Sequence, residues 1–588
     1  MTALRVRSFY LALLAFLVVL TVFYPALFAE ILNVDDEPLM NHLLNLEEWS
    51  LKDLFLAGGS GYYYRPLLTL TMYLDNVVWG AHESFMHLEN ILLHAANAVL
   101  VFQITKELAP RYQARSPYVP LAAALLFGLH PLVTEPANWI SGRSDLLAGF
   151  FLLGAMLLLV RAVSRGSLPL HVASAFFFLL ATLSKEAAVF WFPSALFFVY
   201  CASRESQPDR FERAAPAAAR VAAPYLLLSL TTAGYFVLRR FALSKGDGGI
   251  ELAVKGAGAA GDYDLLNKLR VSFKVFGFYL KKLVLPLPLN FATMSVPDWY
   301  VPLGIAGILC CFWLLYARKV AGSLLLMAAC LISPALLVPL GRMAWTPVAE
   351  RYLYMPAAFA VIVVVLCCAR FSERAGVPAN AVASLTALLI AFSGYHTYQR
   401  NLVWQQNLTL FQDCVAKSPD CAAAKNELGR ALEKLGRREE ASRIFLTNQV
   451  SSTEKFGIIS EINKANYLAR ESNVAGAIAH LEQLNYSRSR PMYDQYLKTL
   501  IRLYGVLGAK TDAPGHRREL QLKEIGLVKQ LQEYTGDPYQ LYQIGKLYVT
   551  LQDDRTAASY FRKAAEQSPE NAFYKAPAQK LAARLGAK

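Results

Sequence analysis

The sequence predicts an all-α protein in two parts: a polytopic membrane helical domain of about 11 spans over residues 1–398, then a soluble superhelix of helical repeats over 399–588. Three observations predict it. Of 588 residues, 55% are hydrophobic and only 17% charged, whereas an ordinary soluble domain carries about 25% charge. Apolar runs long enough to cross a bilayer recur as far as residue 397, where hydropathy falls sharply. Beyond that point Gly, Ala, Phe and Pro recur at offsets suited to paired helices. The composition excludes a disordered or fibrous chain and argues against a cytosolic enzyme.

Residues 8–29 open the series. As a helix they would extend roughly 33 Å, enough for a bilayer core. The run is long for a signal peptide and no small-x-small cleavage pattern follows cleanly, so it reads as a retained span. Further spans are predicted at 87–106, 119–135, 145–162, 170–184, 187–202, 221–240, 301–317, 321–340, 352–369 and 378–397. Arg5 and Arg7 put the N-terminus in the cytoplasm. Alternation then makes 106–118, 161–169, 203–220, 317–320 and 370–377 cytoplasmic loops. They carry Lys106, Arg111 and Arg115, Arg161 and Arg165, Arg204, Arg210, Arg213 and Arg220, Arg318 and Lys319, and Arg370 and Arg374. Each is basic, as the positive-inside rule requires.

The segment 265–290 is apolar over 271–289 but holds Lys274, Lys281 and Lys282. Counted as a span it would turn the last two basic loops outward, so it reads as interfacial or re-entrant. Eleven spans leave 399–588 extracytoplasmic: periplasmic, or ER-lumenal in a eukaryote. The net charge of +14 then lies in cytoplasmic loops and exterior repeats and does not point to nucleic acid.

In the C-terminal part, Gly545, Tyr548, Ala557, Phe561, Ala564 and Pro569 have the spacing of a tetratricopeptide repeat, as do Leu428, Gly429, Leu432, Gly436, Ala441 and Phe445. Phe411, Cys414 and Pro419 repeat the end of such a unit, and Ala465, Leu468, Ala477 and Leu481 suit a degenerate one. Stacked repeats form concave surfaces that hold peptides; a rigid cap without ligand is the alternative. None of the 8 cysteines forms a CxxC pair or a cluster at zinc-ligand spacing. Cys414 and Cys421 alone lie in polar sequence, where an oxidising compartment would permit a disulfide.

The outer loops concentrate ionisable residues. The first, 30–86, has Asp35, Asp36 and Glu37, then Tyr62, Tyr63, Tyr64 and Arg65. The second, HPLVTEPANWISGRSDLLAG, has His130, Glu135, Arg143 and Asp145. Lys185 and Glu186 occupy the third, and Arg342, Glu350 and Arg351 the fifth. Ionisable groups at membrane depth are costly and are functional candidates by default. Carboxylates suit a general base toward a hydroxyl; Arg and Lys suit a phosphate leaving group. Taken singly, each has a plainer reading. The acidic triplet suits a solvated turn, Arg65 or Arg351 an interfacial anchor, and Lys185 with Glu186 an ion pair. The tyrosines suit an aromatic belt, and His94, seven residues after His87, a core histidine. Convergence on one face carries the inference.

VDDEPL (34–39), YRPLLTLT (64–71), HLENILLHAANA (87–98), FGLHPLVTEPANWISGRSDLLA (127–148), LSKEAAV (183–189), ERYLYMP (350–356) and WQQNLTLFQDCVAKSPD (404–420) occur in this order. In them the chain resembles the transmembrane and tetratricopeptide-repeat-containing O-mannosyltransferases, within the GT-C class of multi-span glycosyltransferases. The resemblance implies a GT-C fold and a polyprenyl-phosphate sugar as donor, used at the outer membrane face. It implies that the acidic pair, here Asp35 and Asp36, is catalytic. It places Arg65, Arg143 and Asp145 near the donor, with Lys185, Glu186, Glu350 and Arg351 also matching. Residues 241–300 are shorter and richer in Gly than the family pattern, and the repeat array is short.

The reading that results is an inverting glycosyltransferase acting on a protein Ser or Thr. Asp36 or Asp35 takes the acceptor proton, and Asp145 orients it. Arg65, Arg143, Lys185 and Arg351 meet the phosphate; Glu186, Glu350, His94, His130 and Glu135 support them. The phosphate leaves readily, so a divalent metal is not required and no metal ligand is assigned. The partners are a lipid-linked sugar, membrane lipid and a polypeptide held by the repeats. A glycan or lipid acceptor is the alternative; a non-enzymatic scaffold or transporter explains the loop residues less well. Asn407-Leu408-Thr409 and Asn485-Tyr486-Ser487 are N-glycosylation sequons.

Overall fold

The computed structural model describes residues 2–37, 39–40, 63–206, 215–243, 264–341, 346–448, 457–490, 492–568 and 572–586. Tyr62, Arg210, Arg213, Arg342 and Pro569 lie outside them. The chain is all-α: among the described residues no strand occurs, only an isolated bridge between Thr293 and Val348. It forms two compact units, Met1–Asp420 and Cys421–Lys588.

The first unit contains α1 (Thr2–Phe23), α2 (Pro66–Trp79), α3 (Glu83–Leu108), α4 (Val119–Gly128), α5 (Thr134–Asn138), α6 (Arg143–Arg165), α7 (Leu168–Ser184) and α8 (Phe192–Ser206). It continues with α9 (Ala215–Ala242), α10 (Leu265–Val284), α11 (Val301–Ala317), α12 (Val320–Ile332), α13 (Leu337–Gly341), α14 (Tyr354–Arg374), α15 (Ala379–Trp404) and α16 (Asn407–Lys417). Every predicted span is helical. Among the described residues, seven stretches are long and apolar enough to cross a membrane, and α4 with α5, bent by 49°, makes up to eight. Two of the other predicted spans have visible reasons to fall short. α7 has 17 residues, roughly 25 Å and less than a bilayer core. α15 turns polar after Tyr395, with Arg400 and Asn401 buried. The bend between α4 and α5 falls at Pro131, which lacks the N–H needed to continue a helix; His130 Nδ1 accepts the Leu132 N–H instead.

The basic loops gather at one end of this unit. Arg7 donates to Tyr118 Oη, Arg111 to Ser164 Oγ, and Arg161 to Glu107 Oε1. The Arg115 N–H meets Glu373, the Val320 N–H meets Glu205, and Arg318 reaches Tyr200. Glu205 and Arg370 are within electrostatic reach of Tyr112. The loops carrying acid–base residues meet at the other end: Ser141 donates to Asp36, Arg65 to Glu186, Lys185 to Asp145 and Arg351 to Glu135.

α10 is held at that same end. Arg270 and Lys274 pair with Asp298, and Lys282 pairs with Glu350. Both acids open helical stretches that run toward the basic loops. Gly277 permits the contact with α11, because a Cβ there would sit 2.2 Å from Tyr300 O.

The second unit contains α17 (Ala422–Lys434), α18 (Arg438–Thr447), α19 (Gly457–Arg470), α20 (Val474–Gln483), α21 (Tyr493–Lys510), α22 (Pro514–Thr535), α23 (Pro538–Thr550), α24 (Asp554–Gln567) and α25 (Lys575–Gly586). The repeat spacing has a direct packing cause. A Cβ at Gly429 would meet the Phe445 ring at 2.6 Å, and one at Gly545 the Phe561 ring at 2.7 Å. Small residue and aromatic ring are two sides of one helix–helix contact. Among the described residues no cysteine is in a disulfide; Cys414 and Cys421 are buried thiols.

Candidate active site

A cavity of about 220 Å³ opens where the acid–base loops meet. Asp35, Arg65, Asp145, Lys185, Glu186 and Arg351 line its polar side; Phe190, Leu331, Pro334, Leu337, Val338 and Met355 line its apolar side.

Each cation there is already held by a carboxylate. Arg65 stands before α2, where Pro66 begins the helix, and donates to both Glu186 oxygens at 2.8 and 2.6 Å. Its guanidinium also lies 4.3 Å from the Tyr63 ring centre. Lys185 ends α7 and donates to Asp145 Oδ2 at 2.6 Å from the first turn of α6. Burial pushes the Lys185 amine below its usual range, and Asp145 opposes that shift. Arg351 donates to Glu135 Oε1 at 2.7 Å, while its own N–H reaches Glu135 Oε2 at 3.1 Å. Trp139 and Tyr352 flank that guanidinium, each ring centre 5.1 Å away. These are cation–π contacts that fix the group in place.

Asp35 differs from the other acids. Among the described residues nothing hydrogen-bonds or ion-pairs its carboxylate. Its backbone has φ +55°, a left-handed conformation uncommon for any residue but Gly. Asp35 is exposed at the cavity; desolvation by the surrounding protein pushes its carboxyl above the usual range, while Arg351 and Arg65 pull it down. Asp36 does not line the cavity. It is 1% exposed and accepts from Ser141 N at 2.9 Å and Ser141 Oγ at 2.5 Å. Burial raises it to about 7, against the hydrogen bonds from Ser141.

Four residues of the sequence reading have other surroundings. Arg143, fully buried, donates to Asp75 at 2.6 Å, Asn90 Oδ1 at 2.9 Å and Met86 O at 2.9 Å. It ties α2 and α3 to α6 and does not line the cavity. His94 lies between Tyr354 Oη and Gly128 O, each 2.9 Å away, inside the bundle. His130 caps the turn before α5. Glu350 accepts from Lys282 at 2.5 Å and from the Asn290 N–H at 3.1 Å, next to Arg351 but behind the cavity wall.

The structure adds Trp139, Ser141 and Tyr352 to the cavity lining and Asp75 as the partner of Arg143. A signal existed for Asp75, a lone carboxylate in the apolar run PLLTLTMYLDNVVW; buried acids are paired. Gly142 has a steric reason, because a Cβ would sit 2.6 Å from Pro136 O. Among the described residues no group of three or more His, Cys, Asp or Glu is placed to hold a metal ion.

Comparison with known proteins bears on this geometry. Residues 541–571 match the family model for the tetratricopeptide repeat. The chain is 34% identical over 126 residues to the protein O-mannosyl-transferase TMTC2 of Mus musculus, covering 21% of this chain and 14% of that protein. It is 33% identical over 135 residues to TMTC4 of Homo sapiens, covering 21% and 18%. The relatives of this chain are protein O-mannosyl-transferases. A Caenorhabditis elegans protein O-mannosyl-transferase is 27% identical over 146 residues, 25% of this chain and 20% of that protein. The matched segments thus span a fifth or less of those relatives' own length.

Proposed function

We propose that this chain transfers one mannose from a polyprenyl-phosphate carrier to a Ser or Thr hydroxyl of a polypeptide, with inversion at the anomeric carbon. The observation that carries the reading is the cavity: one carboxylate without a partner among the described residues faces three cations, and an apolar wall adjoins them. An amphiphilic phosphate suits such a lining, its headgroup among the cations and its isoprenyl chain along the wall.

In the proposed step Asp35 takes the proton of the acceptor hydroxyl as its oxygen bonds to the anomeric carbon. The bond from that carbon to the phosphate oxygen breaks, and the electron pair leaves with the carrier phosphate. Arg65, Lys185 and Arg351 supply positive charge at that oxygen. Their carboxylates, Glu186, Asp145 and Glu135, hold them in place so that little reorganisation accompanies the charge shift. Asp36, tied to Ser141, fixes the turn that aims Asp35.

The basic loops would lie in the cytoplasm and the cavity at the extracytoplasmic face, in keeping with the positive-inside rule. The tetratricopeptide unit would then be extracytoplasmic and present the polypeptide. Glycopeptide mass spectrometry of cells with and without this chain tests the acceptor: loss of O-mannosyl peptides supports the reading, and their persistence, with a glycan or lipid losing its mannose, moves the acceptor to that class.

A further inference from the structure

We infer that Asn407 is a positioning residue that holds the Asp35-bearing segment in its active conformation, through a clamp between the start of α16 and residues 30–33. Asn407 is 7% exposed and its side-chain amide is used on both sides. Nδ2 donates to Glu30 Oε2 at 3.0 Å and to Ile31 O at 3.0 Å, while Oδ1 accepts the Asn33 N–H at 3.1 Å. The Asn407 N–H donates to the same Glu30 oxygen at 3.0 Å. Beside it, Gln405 donates to Pro25 O at 2.9 Å and its carbonyl accepts the Glu30 N–H at 2.9 Å.

These bonds do what the segment cannot do for itself. Residues 29–32 have no regular structure, with Ala29 and Leu32 buried and Ile31 half-buried, so their backbone polar groups take partners from outside the segment. Asp35 stands two residues past Asn33 with φ +55°, and such a conformation persists only where its surroundings over-determine it. Only an amide gives donor and acceptor together at this spot. Aspartate would lose both donated bonds and set a second carboxylate against Glu30. The clamp also absorbs the sequon Asn407-Leu408-Thr409: its nitrogen is engaged, and Thr409 Oγ1 donates to Val403 O at 2.8 Å. Asn485, the other sequon, is exposed.

The kinetic half of this inference rests on the transferase reading; the structural half does not. The test is hydrogen exchange by mass spectrometry on the full-length chain in detergent, with transfer kinetics alongside. The variants are Asn407→Ala, Asn407→Asp and the double variant Glu30→Gln/Asn407→Asp. Exchange in peptides covering 30–37 should rise tenfold or more in both single variants while 143–165 stays unchanged. The double variant should recover much of the protection, because the glutamine amide donates to the new carboxylate. Turnover should fall at least tenfold in the single variants with donor KM within twofold, since the three cations are held elsewhere. Unchanged exchange at 30–37 overturns the clamp. A rise shared equally by 143–165 makes Asn407 a fold-stabilising residue only, and changed exchange with unchanged turnover removes its positioning role. A wild-type chain without transfer activity but with clamp-dependent exchange would sink the transferase reading and leave the clamp standing.

Discussion

Asp35 and Asp36 are adjacent in sequence and have different work to do. Asp35→Asn should lower turnover by about 10² or more, the usual span of general-base catalysis, with donor KM little changed. Asp36→Asn keeps an oxygen for Ser141 and should lose far less. Desolvation raises Asp35, and as the base it must be ionised to accept a proton, so turnover should fall as pH drops through its raised value. Asp36 acts on stability with the opposite slope. Its folded-state value of about 7 exceeds the ordinary 3.8, so its contribution is full below pH 3.8 and is lost as pH rises through about 7. Thermal midpoints of Asp36→Asn should therefore vary less between those limits than the wild type's. Arg143→Met removes the cation shared by buried Asp75 and neighbouring Glu89 and should cost about 3–5 kcal/mol, read as a fall in thermal midpoint. The sequence marked these residues as costly at membrane depth, and so worth attention. It could not say which neighbour of the acidic pair would face the cavity, because that depends on one backbone angle. Nor could it separate Arg143 from Arg65, because Asp75 and Glu186, the acids that distinguish them, are 68 and 121 residues away.

At the scale of elements, the helices were the most legible part, because long apolar runs and repeat offsets are local signals. The bend at Pro131 is less so, because α4 and the start of α5 form one apolar run over 119–135, whereas the run 170–184 lies within the 17-residue α7. The lysines of α10 marked it as unlike a span, and its ion pairs with Asp298 and Glu350 are the physical counterpart of that signal. Its docking depends on a glycine. Gly277→Ala drives a Cβ into the Tyr300 carbonyl, 2.2 Å away, and should cost about 1–3 kcal/mol as overpacking does. Differential scanning fluorimetry of the detergent-solubilised variant checks it.

For the whole molecule, the two ends of the membrane half follow from the sign of charge. Basic loops joined to one another lie at one end, and paired acids and bases around a cavity lie at the other. Cysteine placed at Ser164 in a cysteine-free background should be labelled by an impermeant thiol reagent only after the membrane is opened. Cysteine at exposed Ser487 should be labelled in intact cells or spheroplasts, or in lumen-accessible vesicles. The central claim is that a polyprenyl-phosphate mannose is used at this cavity, with Asp35 as the base. The most direct measurement is transfer of labelled mannose from that donor to a Ser/Thr peptide by purified wild type and Asp35→Asn. The account predicts labelled peptide with the wild type and a loss of 10² or more with Asp35→Asn, both proteins being folded. Equal transfer by the two, or none by a folded wild type, would contradict it.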